Sequence, residues 1–199
     1  PPQVKTLKAA VVDRREAMQL LMGYNSFNGY VWNKLFDLQL IRENDIRFHA
    51  DYPACEDTMF VGSYLYHCSR VCVTEECLYC YRQVSGGANR GRYSGRKAYD
   101  PKWMSVFEMT EYMADLYKDD AVTAACRLHE VREAGIVLRS MEAAGYHGAD
   151  HARLKGILRR GAGLFFRDEN SGRSQKLSVL LSCISPKLEL AVWKLRNRK

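Results

Sequence analysis

Apolar and polar positions alternate in two distinct regimes along this chain. Over residues 14–22 the apolar positions Ala17, Leu20 and Leu21 share a helix face, with Asp13 as N-cap and Gly23 as stop. The first ten residues read as a loose extended lead, and Asn25 to Gly29 as a turn. Tyr30-Val-Trp-Asn-Lys-Leu-Phe36 is rich in aromatic and β-favouring residues and predicts an extended segment. A short helix over Leu38–Asn44 follows, then an irregular stretch through Pro53. From Glu56 to about Cys68, Met59, Phe60, Tyr64 and Cys68 fit a helical period, with two acids in the first turn. Short strands are predicted near Val71–Thr74 and Leu78–Arg82.

Beyond Pro101 the pattern is helical throughout. It predicts helices over 102–118, over 119–145 with Asp119 or Asp120 as cap and Gly145 as stop, over 151–166 and over 174–185. Ser185-Pro186 reads as an N-cap followed by proline at the first helical position of a last helix. Between the regimes, Gly86, Gly87, Gly91 and Gly95 alternate with Arg90, Arg92, Arg96 and Lys97. That basic, glycine-rich stretch is the natural boundary. The domain reading is therefore 1–85, a loop over 86–101, and a helical part over 102–199. The fold class expected is mainly α with a small β component.

Charge sharpens the division. The formal net charge is +7, yet residues 1–83 carry 9 Lys/Arg against 10 Asp/Glu, while residues 84–199 carry 21 against 13. The helical part holds the basic excess, which suits an anionic lipid surface, a nucleic acid or plain solvation. No run approaches the ~18 apolar residues of a membrane span, and no secretory signal opens the chain. Leu177, Leu180, Leu181 and Ile184 form an apolar stripe, and a basic tail ends in Lys199. Helix packing explains this stripe, with peripheral membrane contact as a secondary role of the tail. Seven cysteines without an export signal point to free thiols in a reducing compartment. Cys68, Cys72, Cys77 and Cys80, beside His67, have a metal-like spacing, but two fall in predicted strands. Buried thiols are the expectation there.

The order of four short motifs carries the chemistry. Trp32-Asn33-Lys34-Leu35-Phe36 comes first, then Ile46-Arg47-Phe48, then Cys55-Glu56-Asp57-Thr58, then Tyr79-Cys80-Tyr81-Arg82. An acidic pair at a helix start is by itself a solvated first turn. In this order, however, the motifs resemble the second half of the catalytic region of family 2 glycosyltransferases, inverting enzymes with the GT-A fold. The ending from Ser182 to Lys199 is similar to the helical extension of polysaccharide-synthesis members.

The resemblance implies that Asp57 is the general base that deprotonates the acceptor hydroxyl, with Glu56 its supporting partner. Trp32, Asn33 and Lys34 would then line the acceptor side, while Tyr81 and Arg82 would approach the diphosphate. Lys34 as a structural ion-pair partner and Arg82 as a solvent-facing strand end are the plainer alternatives. His49 and His67 have no partner visible from sequence. The resemblance also implies a nucleotide-sugar donor, a saccharide or lipid-linked acceptor, and a divalent Mg or Mn ion. No D-x-D motif occurs in the chain, so the metal ligands and donor site are expected upstream, in a longer protein. The isolated chain is then expected to be inactive and to self-associate, at a cytoplasmic location or the inner face of a membrane. Two other classes compete: a nucleic-acid-binding module using the Gly/Arg loop, and a zinc-stabilised helical adaptor. Neither explains the motif order, and no nucleic-acid partner is expected.

Overall fold

The computed structural model describes residues 9–23, 27–82 and 99–197. Eight helices and one two-stranded sheet make up the described architecture. The expectation of a mainly helical protein with a small β component holds. The chain divides into two compact units. Residues 1–82 and 111–126 form one, and residues 83–110 and 127–199 the other. One dividing point falls between residues 82 and 83, next to the 86–101 loop, most of which is outside the described residues, and the other two lie inside helices.

In the first unit, strand β1 (Ala10–Val12) pairs antiparallel with β2 (Val71–Val73), placing Val11 opposite Cys72. The pattern of the lead residues did not predict β1. Asp13 caps α1 (Arg14–Met22) by accepting the Glu16 N–H at 2.9 Å. Helix α2 (Leu38–Glu43) is capped in the same way by Asp37. Helix α3 (Glu56–His67) packs against α1 and carries most of the core: Met59, Phe60, Val61, Tyr64 and Leu65 are buried. Met113 reaches this core too. A Cβ added to Gly62 of α3 would lie 2.7 Å from its sulfur, so the absence of a side chain makes that contact possible.

Two predicted strands are corrected. Tyr30–Phe36 is not an extended strand: it curls, with the Lys34 N–H donating to the Val31 carbonyl at 3.2 Å. The cause is the lysine side chain, which gathers the carbonyls around it. Residues 78–82 have no ladder partner among the described residues and form no strand. The cysteine expectation is corrected as well. Cys72, Cys77 and Cys80 are exposed and Cys68 is half-buried: Cys72 lies on an edge of the two-stranded sheet, and the strand predicted around Cys80 does not form.

In the second unit a 3-10 turn (Pro101–Met104) leads into α4 (Ser105–Tyr117), then α5 (Asp120–Ala144), α6 (Ala149–Arg167), α7 (Arg173–Ile184) and α8 (Pro186–Arg196). Helices α4 and α5 contribute residues to both units. Asp119 caps α5 through the Ala121 and Val122 N–H groups, and Ser185 with Pro186 opens α8 as the sequence predicts. Phe107, Leu138, Met141, Leu154, Leu158 and Phe165 are fully buried.

A buried charge pair anchors α8 within this unit. Arg139 Nη1 donates to Glu189 Oε1 at 2.8 Å, the Ser178 hydroxyl donates to the same oxygen at 2.6 Å, and the guanidinium lies 5.0 Å from the Trp193 ring centre. The two side chains are only 10% and 3% exposed. Removing one partner strands the other charge in a dry site, which costs about 3–5 kcal/mol, whereas replacing both with apolar groups costs far less. Arg139→Ala should therefore shift urea unfolding by about that amount, and Arg139→Met with Glu189→Leu should recover most of it.

Candidate functional site

The residues singled out by sequence fall in the first unit: Glu56 and Asp57 at the start of α3, Trp32, Asn33 and Lys34 in the loop before α2, and Tyr81 and Arg82 in the segment after β2. That loop is held by one side chain. Lys34 Nζ donates to the carbonyls of Asn28 and Tyr30, both at 2.7 Å, to Asn33 Oδ1 at 2.8 Å and to the Phe27 carbonyl at 3.2 Å. Four acceptors compete for three protons, so one bond is shared. Asn33 Nδ2 adds a donor to the same Phe27 carbonyl at 3.1 Å. Asn28 takes a left-handed backbone, φ 53°, which asparagine tolerates.

The loop sits directly on the first turn of α3. A Cβ on Gly29 would fall 1.9 Å from Thr58 Oγ1 and 2.8 Å from Thr58 Cα, so glycine is needed for the approach. The Val31 N–H donates to the Asp57 carboxylate. Phe36 fixes the far end of the loop. Its ring meets Phe60 at 5.4 Å and Tyr64 at 4.9 Å, both edge-on, and the Asp37 N–H donates to Tyr64 Oη at 2.8 Å. Ile46 is buried in the same cluster, while Phe48 stacks flat on Phe60 at 4.3 Å. Phe36, Ile46 and Phe48 thus pack around α3, while Arg47, exposed and paired with Asp45, and Leu35, fully exposed, do not.

Asp57 is half-buried and Glu56 exposed. Burial pushes the Asp57 carboxyl above the ordinary carboxylate range, against the Val31 N–H and the Lys34 charge. Burial also pushes the Lys34 ammonium down, to about 8, with Asp57 opposing. The four oxygens that accept from Lys34 act in the same direction as Asp57. Among the described residues the two do not close an ion pair, because the ammonium is turned to backbone oxygens. The alternative of Lys34 as a direct ion-pair partner is therefore replaced by a loop clip with a charge. The unfolded chain holds the Lys34 proton up to about 10.5 and the folded one releases it near 8. Lys34 hence contributes more stability as pH rises through that interval.

Trp32 lies at the centre of an aromatic group. Tyr30 stacks on it at 5.0 Å and 18°, Tyr81 at 5.0 Å and 21°, and Tyr79 at 4.8 Å and 30°. Tyr79 and Tyr81, two apart in an extended segment, turn to one side and reach the same indole. All three tyrosines stay substantially exposed, and the indole is half-buried. Tyr30 and Trp32 flank Val31, whose N–H holds Asp57, so the aromatic group and the carboxylate share one short loop. Sequence reasoning missed Tyr30 and Tyr79. Their signal is the paired aromatic-x-aromatic spacing of Tyr30/Trp32 and Tyr79/Tyr81. Arg82 is exposed at the edge of the described residues, and the Gly/Arg loop beyond it lies outside them. His49 packs edge-on to Tyr52, and His67 to Tyr66.

The arrangement offers a partly desolvated carboxylate, a fixed cation near it, and an exposed face of stacked rings. Such a set can take a proton from a hydroxyl while apolar faces of a ligand rest on the rings. Among the described residues the four clustered cysteines do not converge as metal ligands. Comparison with protein-family models, curated proteins and solved structures yields no match to this chain.

Gly29→Ala should cost about 1–3 kcal/mol in thermal or urea unfolding, as overpacking does. Thr58→Ala should fail to rescue it, because the α3 backbone itself stands 2.8 Å from the new methyl group.

Proposed function

We propose that this chain is the acceptor-side part of an inverting glycosyltransferase resembling family 2, with Asp57 as the general base. The observation that carries the reading is the placement of Asp57. Its carboxylate is half-buried at a helix start, held by the Val31 N–H and faced by a lysine committed elsewhere. A sugar hydroxyl is a weak nucleophile at neutral pH, and a carboxylate with a raised pKa accepts its proton more readily than a free one. The Lys34 charge opposes that rise.

The other expected residues divide by role under this reading. Trp32 with Tyr30, Tyr79 and Tyr81 forms the platform for the acceptor sugar, whose C–H faces stack on aromatic rings. Lys34 and Asn33 position the platform and the base together by shaping the loop. Glu56 is exposed beside Asp57 and adds to the negative charge of the first turn. Arg82 is the residue nearest in sequence to the basic loop and is assigned to the diphosphate. Donor, acceptor and a divalent Mg or Mn ion belong to the whole enzyme on this reading, since no D-x-D set exists here to hold the metal. A cytoplasmic enzyme, working at the inner face of a membrane, fits the reading. Among the described residues no helix is long and apolar enough to cross a membrane. Exposed Leu35 and Leu78 are apolar surface that the donor half would cover, and self-association of the isolated chain follows from it.

In an enzyme carrying the donor-binding residues, Asp57→Asn should lower kcat at least about 100-fold. Because burial makes the charged form costly, the same variant should unfold at an equal or slightly higher temperature at pH 7. The wild-type rate should fall with acidification through a midpoint above the usual aspartate value, as the base takes up its proton. Unchanged turnover in Asp57→Asn removes this carboxylate from the chemistry.

A further inference from the structure

Helix α5 ends and α6 begins around a second group of side chains, lying wholly in the second unit and unconnected with the reading of Asp57. Gly145, in the left-handed region at φ 69°, reverses the chain after α5, and Gly148 precedes α6. The reversal brings Glu142, in the last turn of α5, against two histidines. Its Oε1 lies 2.8 Å from His151 Nε2 and 3.8 Å from His147 Nδ1. The three ligand-type atoms all lie within 4.8 Å of one another. The Glu142 side chain is 4% exposed, that of His151 13%, and that of His147 48%.

Among the described residues no lysine or arginine is paired with Glu142; imidazoles alone face it. An ionised carboxylate at this depth is costly without a compensating positive charge. The neighbouring acid is otherwise engaged: Asp150 Oδ2 accepts from the Tyr99 hydroxyl at 2.9 Å, and Tyr99 packs against Tyr146 at 4.8 Å. The C-terminal end of α5 favours a cation here and the N-terminal end of α6 opposes one, by similar amounts, so the carboxylate decides the sign of the site.

We propose that Glu142, His147 and His151 bind a divalent metal of the zinc class, through one carboxylate oxygen, Nδ1 of His147 and Nε2 of His151. Two imidazoles and one carboxylate form a set that zinc takes with three protein ligands and one open, water-filled position. Metal–ligand bonds of about 2.0–2.1 Å in a tetrahedron put ligand atoms about 3.3 Å apart. The pairs at 2.8 and 3.8 Å bracket that spacing. Those two pairs need about half an ångström of adjustment each, and the two histidine nitrogens, within 4.8 Å of one another, need up to about 1.5 Å to reach the same spacing. Imidazole nitrogens favour zinc, cobalt, nickel or copper over magnesium or manganese, which prefer oxygen ligands. The site is thus different in kind from the Mg or Mn centre of the proposed transferase. The half-exposed side chain of His147 supplies an entry path. A bound ion would fasten the end of α5 to the start of α6.

Cobalt(II) titration followed by visible absorption tests the site, with exposed Cys72, Cys77 and Cys80 changed to Ser in a parallel variant to remove competing thiols. The proposal expects one equivalent bound at micromolar or tighter affinity, tetrahedral d–d bands without a sulfur charge-transfer band, and a higher Tm with metal. The Cys-to-Ser variant should behave like the wild type. His147→Ala, at a half-exposed position, should weaken binding about 100-fold, and Glu142→Gln about 10-fold or more. Binding that survives His147→Ala, that disappears with the cysteines, or that fails to reach one equivalent at micromolar cobalt overturns the proposal.

Discussion

The loop over residues 27–34 depends on one ammonium group. Lys34 reaches back to the carbonyls of Phe27, Asn28 and Tyr30, and that reach turns a segment of β-favouring composition into a tight curl. Everything at the candidate site hangs from the curl. It presents the Val31 N–H to Asp57, lays Tyr30 and Trp32 face to face, and presses Gly29 onto the first turn of α3. Because the ammonium is engaged by oxygen atoms of the loop, it acts on Asp57 through its charge and not through a closed ion pair. A closed pair would hold the carboxylate low and make it a poor base. The open arrangement lets burial raise it instead.

The surrounding packing keeps this geometry from relaxing. Phe36 wedges between Phe60 and Tyr64, and the Tyr64 hydroxyl receives the Asp37 N–H, so the end of the loop and the start of α2 are tied to the middle of α3. Asp57 stands on the first turn of that same helix. A general base gains from such rigidity because its lone pair must meet a hydroxyl proton at hydrogen-bond distance. The second unit rests on a different device, the Arg139–Glu189 pair with Ser178 and Trp193, where both charges are buried and bonded. The contrast between an unmatched carboxylate and a matched one separates the candidate site from the scaffold.

Helices were legible where caps and apolar periodicity agreed. Asp13 with Gly23, Asp119 with Gly145, and Ser185 with Pro186 each mark a boundary within a residue or two of the observed one. The strands were less legible for physical reasons. Val71–Val73 found a partner in Ala10–Val12, a lead with little composition to advertise it. Residues 78–82 have strand-like composition but spend their tyrosines on Trp32 and gain no ladder. Tyr30–Phe36 lost its extended form to a side-chain-to-backbone network, which no periodicity encodes. At the candidate site, motif order singled out Trp32, Lys34 and Asp57, but not the bond from Val31 to Asp57, since that depends on the curl. The Glu142, His147 and His151 group was overlooked for a related reason: its spacing spans a helix end, a left-handed glycine and a helix start.

The central claim is that Asp57 is raised by burial while Lys34, held by the loop, pulls the other way. A site-resolved carbon-13 NMR titration of the Asp57 carboxyl, in the wild type and in Lys34→Met, measures both halves at once. The account predicts a wild-type midpoint above the ordinary aspartate value of 3.8, moving higher still when the lysine charge is removed. A wild-type midpoint at or below that value, or one that ignores the loss of Lys34, would contradict it.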